Sequence, residues 1–150
     1  MLKINWLIYQ GKQKLYQKKY QAAKSLLEKA LQISPQSREA KYHLAEAYYY
    51  NKEENRAFSL FAQLKDFNPE NPDLLYYLGD CYLKAGDLEP AEENLELAVK
   101  YFPKFSEALY SLGKVYLKKG EKSMALAYFK RAVDLNPQLV KERLANLQSA

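Results

Sequence analysis

Side chains that commonly perform nucleophilic or metal chemistry are scarce in this sequence. It contains one cysteine, Cys81, and one histidine, His43, so these two residues are its only candidates for a Cys/His pair. One cysteine and one histidine supply too few ligands for a structural zinc site, and a lone cysteine excludes an internal disulfide. The sequence therefore predicts no metal site and no cofactor.

Neighbouring carboxylates are the remaining candidates for acid–base chemistry, and Glu92 and Glu93 are an example. Adjacent residues on a helix lie about 100° apart around its axis, so their carboxylates do not converge on one substrate. No strand followed by a glycine-rich phosphate loop is indicated either. We therefore predict no catalytic residues and no enzymatic activity.

Composition places the chain among ordinary globular proteins. Its 150 residues are 48% hydrophobic and 27% charged, which suits one domain with a continuous core. The apolar stretch WLIY, residues 6–9, is much shorter than the roughly 20 residues of a membrane span. We expect a soluble protein of the cytoplasm that has no membrane partner.

One pattern occurs four times at intervals of 34 residues without insertions. Each copy has a small residue, an alanine twelve residues later and a proline twelve residues after that. The small residues are Gly11, Ala45, Gly79 and Gly113, the alanines are Ala23, Ala57, Ala91 and Ala125, and the prolines are Pro35, Pro69, Pro103 and Pro137. Tyrosine follows the small residue by three places in the last three copies, as Tyr48, Tyr82 and Tyr116. A fixed interval of this length predicts an array of equal structural units.

Each copy contains two segments with helical spacing of apolar residues. In the fourth copy Leu109, Leu112 and Tyr116 share one helix face, and Ala125 and Phe129 share a face of the next helix. The small residues on these faces allow the two helix backbones to approach closely. Each copy is therefore predicted to be a helical hairpin.

This pattern resembles the tetratricopeptide repeat, whose unit has small, Tyr, Ala, Phe, Ala and Pro residues at these spacings. The resemblance implies an all-α fold, a right-handed α-solenoid of four helical hairpins with a C-terminal capping helix. The predicted repeats are residues 4–37, 38–71, 72–105 and 106–139, and together they form a single domain over residues 1–150. The capping helix, about residues 138–149, is indicated by Val140, Leu144 and Leu147 at helical spacing.

In this family the first helices of the hairpins line a concave groove that binds partners. About 100° of rotation per residue predicts which side chains face that groove. They are Tyr9, Glu39, Tyr42, His43, Glu46, Tyr49, Tyr50, Asp73, Tyr76, Tyr77, Asp80, Leu83, Glu107 and Tyr110. Aromatic rings beside carboxylates favour a peptide of apolar and basic character. Glutamate and tyrosine are also common at two of these positions throughout the family, so generic repeat features explain the pattern equally well.

Two other kinds of partner are disfavoured. Chaperone-binding members of the family hold an acidic C-terminus with Lys, Asn and Arg, but the corresponding residues here are Ile8, Lys12, His43, Asp73 and Tyr77. Only Lys12 attracts a carboxylate, so no carboxylate clamp is expected. The acidic groove residues also disfavour nucleic acid, although the net charge is +5. An RNA-binding helical repeat is therefore the less favoured alternative.

The N-terminal edge of the array carries Trp6, on a face that would meet a preceding repeat. Two interpretations stay open: Trp6 folds back as a cap, or it forms an edge interface with another protein, such as a second copy of the chain, or with a missing part of a longer chain. Lysines are concentrated in the first hairpin and acids in the third, and this asymmetry permits contact between molecules. A homo-oligomer that assembles through its end faces is therefore the alternative to peptide binding.

Overall fold

The computed structural model describes residues 2–148, and the side chains of residues 2–146. This part of the chain is all helix and turn, so the predicted all-α fold is confirmed. The helices are α1 (Leu2–Tyr16), α2 (Tyr20–Ile33), α3 (Arg38–Tyr50), α4 (Glu54–Lys65), α5 (Pro72–Ala85), α6 (Leu88–Tyr101), α7 (Ser106–Lys118), α8 (Lys122–Leu135) and α9 (Pro137–Gln148). Residue 149, the predicted end of the last helix, and the side chain of Leu147 lie outside the described residues. None of the described helices is long and apolar enough to cross a membrane.

The chain divides into two compact units, which are described separately. Unit 1 ends at Asn68 and contains the antiparallel pairs α1–α2 and α3–α4, with α2 packed on α3. Unit 2 begins at Pro69 and contains the pairs α5–α6 and α7–α8, followed by α9. The single domain over residues 1–150 and the exact repeat boundaries stay predictions.

Close helix packing explains the small residues of the repeat. A Cβ atom added to Gly79 would lie 2.5 Å from Leu95, and one added to Gly113 would lie 2.6 Å from the Phe129 ring. Real side chains do not approach so closely, so α5 and α7 could not pack on α6 and α8 with larger residues here. Ala125, one of the four alanines that recur at intervals of 34 residues, is only 2% exposed, as the sequence predicts.

The turns within the hairpins use a left-handed residue. Gly86 has φ 85° and forms the C-cap of α5, where its N–H donates to the carbonyl oxygens of Tyr82 and Leu83. Lys18 and Lys52 occupy the corresponding turns of unit 1 with φ 60° and 62°. A side chain makes this conformation costly, so the two lysines are positions of local strain.

Sequence-encoded caps fix where two of the first helices begin. The Ser37 hydroxyl accepts a hydrogen bond from the Ala40 N–H (3.2 Å) at the start of α3. Asn71 accepts from the Asp73 N–H (3.0 Å) at the start of α5, which also has Pro72 in its first turn. These caps fix the ends of the helices that carry the predicted groove residues.

Candidate partner-binding surfaces

The predicted groove residues of α3 are partly accessible in unit 1. Tyr42, His43 and Glu46 are half-buried, and Tyr50 is 45% exposed. The His43 Nδ1 and Glu46 Oε1 atoms lie 2.7 Å apart, and the Tyr42 ring contacts the His43 ring edge-on at 5.3 Å. These contacts hold three of the side chains in one orientation. Two further predicted residues differ, because Tyr49 is buried and Glu39 is exposed.

An open cleft of about 630 Å³ lies beside these residues, between α1, α2 and α3. Its lining includes Lys12, Tyr16, Tyr20, His43, Glu46 and Tyr50. Tyr20 stacks on Tyr50 with ring centroids 5.5 Å apart and the planes 16° from parallel. The lining of the cleft therefore combines aromatic rings with charged groups.

Sequence reasoning did not identify Tyr16 or Tyr20 as part of this surface. Tyr16, the last residue of α1, lies 34 residues before Tyr50 and so holds the same repeat position, but it was not among the predicted site residues. Tyr20 is the first residue of α2 and so lies outside the first helices. The three-residue turn between them places Tyr20 against Tyr50. For Tyr16 the signal available in the sequence was its 34-residue interval from Tyr50, and for Tyr20 it was an aromatic residue directly after the hairpin turn.

The N-terminal edge exposes an apolar stripe along α1. Leu2, Trp6, Tyr9 and Tyr16 are spaced by four, three and seven residues, which places them on one helix face. Their exposed fractions are 88%, 56%, 57% and 89%, respectively. Trp6 and the predicted groove residue Tyr9 therefore share one open surface, which we call the α1 stripe.

The predicted groove residues of unit 2 are far less accessible. Tyr76, Tyr77 and Tyr110 are 6%, 7% and 3% exposed, and Asp80 and Leu83 are also buried. Only Asp73 is exposed, and Glu107 is half-buried. Helical geometry correctly indicated that these residues share the first helices, but it did not indicate what packs over them.

Part of this covering, over Tyr76 and Tyr110, comes from α9. Arg143 Nη2 donates to the Tyr76 hydroxyl oxygen (3.3 Å), and the guanidinium lies 5.4 Å from the centre of the Tyr110 ring. Phe105, in the turn before α7, adds a ring 5.1 Å from that of Tyr76. We call Tyr76 and Tyr110, with the groups around them, the tyrosine face of unit 2.

The charge near the tyrosine face is more balanced than the sequence suggested. The buried Asp80 carboxylate lies 3.4 Å from Lys84 Nζ and accepts a hydrogen bond from the Ser111 hydroxyl (3.5 Å). Lys114 lies over the Tyr110 ring at 5.5 Å. Burial lowers the pKa of Lys114, and Arg143 lowers it further while Asp80 opposes the shift. Neighbouring groups within the protein thus compensate the negative charge of Asp80.

A second polar cluster in unit 2 lies outside the predicted groove. The Tyr116 hydroxyl is 2.7 Å from Glu92 and 3.0 Å from Glu96, and Lys119 Nζ is 2.5 Å from Glu92. The hydrogen bond from Lys119, with a second from Tyr116, lowers the pKa of Glu92. This cluster ties α6 to α7 and explains one of the repeated tyrosines as a structural residue.

Cys81, the only possible thiol nucleophile, is 5% exposed within α5. Reactive cysteines are usually partly exposed, and this thiol is buried. His43 pairs with Glu46 on the wall of the unit 1 cleft. Cys81 is thus a core residue, and His43 belongs to a histidine–glutamate pair beside the cleft.

Comparison with protein families identifies the class of this protein. A family model described as anaphase-promoting complex, cyclosome, subunit 3 matches residues 16–98, more than half of the chain. A tetratricopeptide-repeat model matches residues 78–140. A search of curated protein sequences finds no match. The chain belongs to the tetratricopeptide-repeat proteins, as the repeat pattern indicated.

Solved structures of such proteins have the same fold. A crystal structure of MamA is 28% identical with a TM-score of 0.76, and the match covers 92% of this chain and 81% of that one. TTC0263, a thermophilic TPR protein in Thermus thermophilus, is 27% identical with a TM-score of 0.74, covering 89% and 75%. MamA from Desulfovibrio magneticus RS-1, residues 41 to the end, is 22% identical with a TM-score of 0.79, covering 89% and 76%, and shows the fold alone. The chain is an all-α repeat solenoid and a protein–protein interaction scaffold.

Proposed function

We propose that this scaffold is non-enzymatic and binds a peptide segment of a protein partner, of apolar and basic character, on the surface made by the first helices. The observation that carries the proposal is the open cleft of unit 1, because its wall contains the predicted residues His43, Glu46 and Tyr50. Concave, partly aromatic surfaces with a few oriented polar groups are typical binding sites.

The cleft suits an apolar anchor of the partner. Tyr20 and Tyr50 already stack on each other, so they offer a preformed ring surface and lose little side-chain freedom on binding. The His43–Glu46 pair, Lys12 and Lys18 also line the cleft, and charges beside an aromatic site act mainly on encounter and selectivity. A partner residue that covers Tyr50 would therefore contribute much of the binding energy.

A display library of random peptides, selected on the immobilised full chain, supplies a defined probe for this proposal. Anisotropy of a labelled selected peptide then measures its affinity for the wild type and for Tyr50→Ala. Loss of a central aromatic anchor costs more than about 1.4 kcal/mol, so we expect at least about tenfold weaker binding. Tyr101→Ala, which removes an exposed tyrosine of α6 in unit 2, is the matched control and should bind within about twofold. Selected peptides that bind Tyr50→Ala as tightly as the wild type would contradict the cleft as the site.

A second candidate function is self-assembly through the α1 stripe. The exposed Leu2, Trp6 and Tyr9 form an apolar helix face of the kind that another helix covers. RNA binding remains the less favoured alternative, because Glu39, an exposed acid of unit 1, would repel a phosphate backbone. A mixed RNA that binds with strong salt dependence would support RNA binding over the peptide proposal.

A further inference from the structure

Arg143 makes the kind of contact expected of a ligand on the tyrosine face. Its Nη2 atom donates to the Tyr76 hydroxyl at 3.3 Å, and its guanidinium covers the Tyr110 ring at 5.4 Å. Tyr76 belongs to α5 and Tyr110 to α7, so one arginine spans the first helices of two hairpins. A planar cation that donates hydrogen bonds and stacks on a ring suits this pair of tyrosines, and lysine lacks that geometry.

Few of the described side chains of α9, the helix that supplies Arg143, are buried. Among the side chains described in α9, Val140 is the buried one, at 6% exposure, and it packs against Leu109, Tyr110 and Ala132. Leu144, one turn later, is 50% exposed. α9 has twelve residues, and an isolated helix of that length is only marginally stable in water. Among its described side chains, docking of α9 therefore depends strongly on Val140 and Arg143, and a helix with so little buried surface is suited to local release.

Building on the proposed function, we propose that the tyrosine face of unit 2 is a binding site for an arginine-bearing helical segment of a partner. α9 occupies this site within the chain and is displaced when the partner binds. The recognised feature is a branched apolar residue followed three positions later by arginine, as in Val140 and Arg143. The partner's arginine takes the place of Arg143 on Tyr76 and Tyr110, so the local charge is unchanged by the exchange.

The neighbouring charges are consistent with recognition through the rings. The Asp80 carboxylate is already paired with Lys84 and hydrogen-bonded by Ser111. The Tyr76 hydroxyl and the Tyr110 ring face both contact the Arg143 guanidinium. A permanent structural cap would use the same contacts, so the deciding property is whether the site accepts a helix from another molecule.

The first test uses a fluorescein-labelled peptide with the sequence of residues 137–148. Its affinity is measured by anisotropy for the wild-type full chain and for the full chain with Arg143→Ala. The substitution weakens the internal competitor, so we expect the Arg143→Ala chain to bind at least about tenfold more tightly. The control is the full chain with Lys141→Ala, which lacks an exposed side chain of α9. It should bind the 137–148 peptide with the affinity of the wild type. A version of the peptide with its own arginine replaced by glutamine should bind the Arg143→Ala chain at least about tenfold more weakly.

The second test separates a recognition site from a cap. An alanine-rich helical peptide of unrelated sequence, carrying only Val-x-x-Arg, is added at saturating concentration to the wild-type chain. Hydrogen exchange of the α9 amides should become faster, because the peptide displaces α9. A Val-x-x-Gln peptide is the matched control and should leave the exchange unchanged. Tyr76→Phe removes the hydroxyl acceptor, so the chain with this substitution should bind the Val-x-x-Arg peptide several-fold more weakly.

Three results would overturn the inference. These are equal or absent binding of the 137–148 peptide to the two chains, equal binding of its arginine-free version, and unchanged α9 exchange with the Val-x-x-Arg peptide. Circular dichroism first establishes that the Arg143→Ala chain has wild-type helix content. The unit 1 variant Tyr50→Ala should not alter binding of either helical peptide. If Tyr50→Ala does not weaken binding of the library-selected peptides but the Val-x-x-Arg peptide still displaces α9, the result counts against the proposed cleft alone. If Tyr50→Ala weakens that binding but the Val-x-x-Arg peptide leaves α9 exchange unchanged, the result counts against this inference alone.

Discussion

Single residues in this protein show that identical residue types have different roles in one repeat array. Tyr116 hydrogen-bonds Glu92 and Glu96 and fastens two helices together, whereas Tyr50 offers an exposed ring to the unit 1 cleft. The Tyr110 ring contacts two cations, Lys114 and Arg143. What distinguishes these tyrosines is the set of groups that reach each ring from other helices.

The Glu92 cluster predicts a pH dependence of stability. The pKa of Glu92 is lowered from its ordinary value of 4.5, so its ionised form is favoured in the folded state. Its contribution is fully present above the unfolded pKa and is lost as the pH falls through the folded pKa. Glu92→Gln should therefore lower the urea midpoint at pH 7, and the difference from the wild type should shrink below about pH 4.5.

The adjacent Glu93 is the control for this prediction, because it is exposed on the same helix. Glu93→Gln should leave the urea midpoint nearly unchanged at both pH values, as exposed substitutions usually do. Equal effects of the two substitutions, or a Glu92→Gln effect that persists at about pH 3, would show that the cluster does not stabilise the fold through the ionised carboxylate.

Packing at the small positions predicts a second residue-level effect. Ala125 is 2% exposed in α8, so the larger side chain of Ala125→Leu must displace its neighbours in a closed contact. We expect a loss of about 1–3 kcal/mol in the free energy of unfolding, measured by urea denaturation. Lys122→Ala, at an exposed position of the same helix, should stay within about 0.5 kcal/mol. An unchanged urea midpoint for Ala125→Leu would show that this alanine does not lie in a close helix contact.

Secondary-structure elements are defined here by short turns as much as by helix faces. Ser37 and Asn71 cap α3 and α5, and left-handed residues close the hairpins. Unit 2 uses Gly86 and Gly120 for these left-handed turns, whereas unit 1 uses Lys18 and Lys52. The hairpin geometry therefore persists even where the sequence lacks the residue that best tolerates it.

This strain can be removed by substitution with glycine. The left-handed conformation costs a side-chain-bearing residue about 1–2 kcal/mol, and glycine loses part of that gain through unfolded-state entropy. Lys52→Gly should therefore raise the free energy of unfolding by about 0.5–1 kcal/mol in urea denaturation. The same substitution at the exposed Lys29, inside α2, should lower it by about 1 kcal/mol. Destabilisation by Lys52→Gly would indicate that the lysine side chain makes contacts that outweigh the strain.

At the scale of the whole molecule, each unit offers a different kind of surface. Unit 1 has an open aromatic cleft and the exposed α1 stripe, whereas the tyrosine face of unit 2 is covered by α9. The cleft and the stripe share Tyr16, but Tyr50 is outside the stripe and Trp6 does not line the cleft. Substitutions of Tyr50, Trp6 and Arg143 can therefore separate peptide binding, self-assembly and α9 release. Repeat proteins suit such tests because each hairpin packs mainly on its neighbours in sequence.

Self-assembly through the α1 stripe predicts a change of mass. Trp6→Ser removes the largest apolar side chain of the stripe, and Trp6 is already 56% exposed in the single chain. If the stripe joins two molecules, light scattering over a concentration series should give a lower apparent mass for Trp6→Ser, with unchanged helicity. Leu126→Ser, at a 70% exposed site of α8, is the matched control and should leave the mass unchanged. An unchanged mass with lowered stability for Trp6→Ser would support the cap interpretation instead.

The sequence alone determined the fold class, because the information for a helical hairpin is local. Helical spacing of apolar residues, small residues at a fixed interval and turn residues repeat every 34 positions, and each operates over a few turns of helix. The same periodicity indicated which side chains share the first helices, including Tyr42, Tyr76 and Tyr110. It also correctly indicated that Ala125 is buried.

Only the tertiary structure decided which of those side chains are accessible. Arg143 meets Tyr76 across 67 positions of sequence, and no repeat interval relates the two residues. Tyr20 joins Tyr50 through the path of a turn, which helical periodicity does not describe. Accessibility depends on which atoms from distant segments exclude water from a surface, and that is a property of three-dimensional packing.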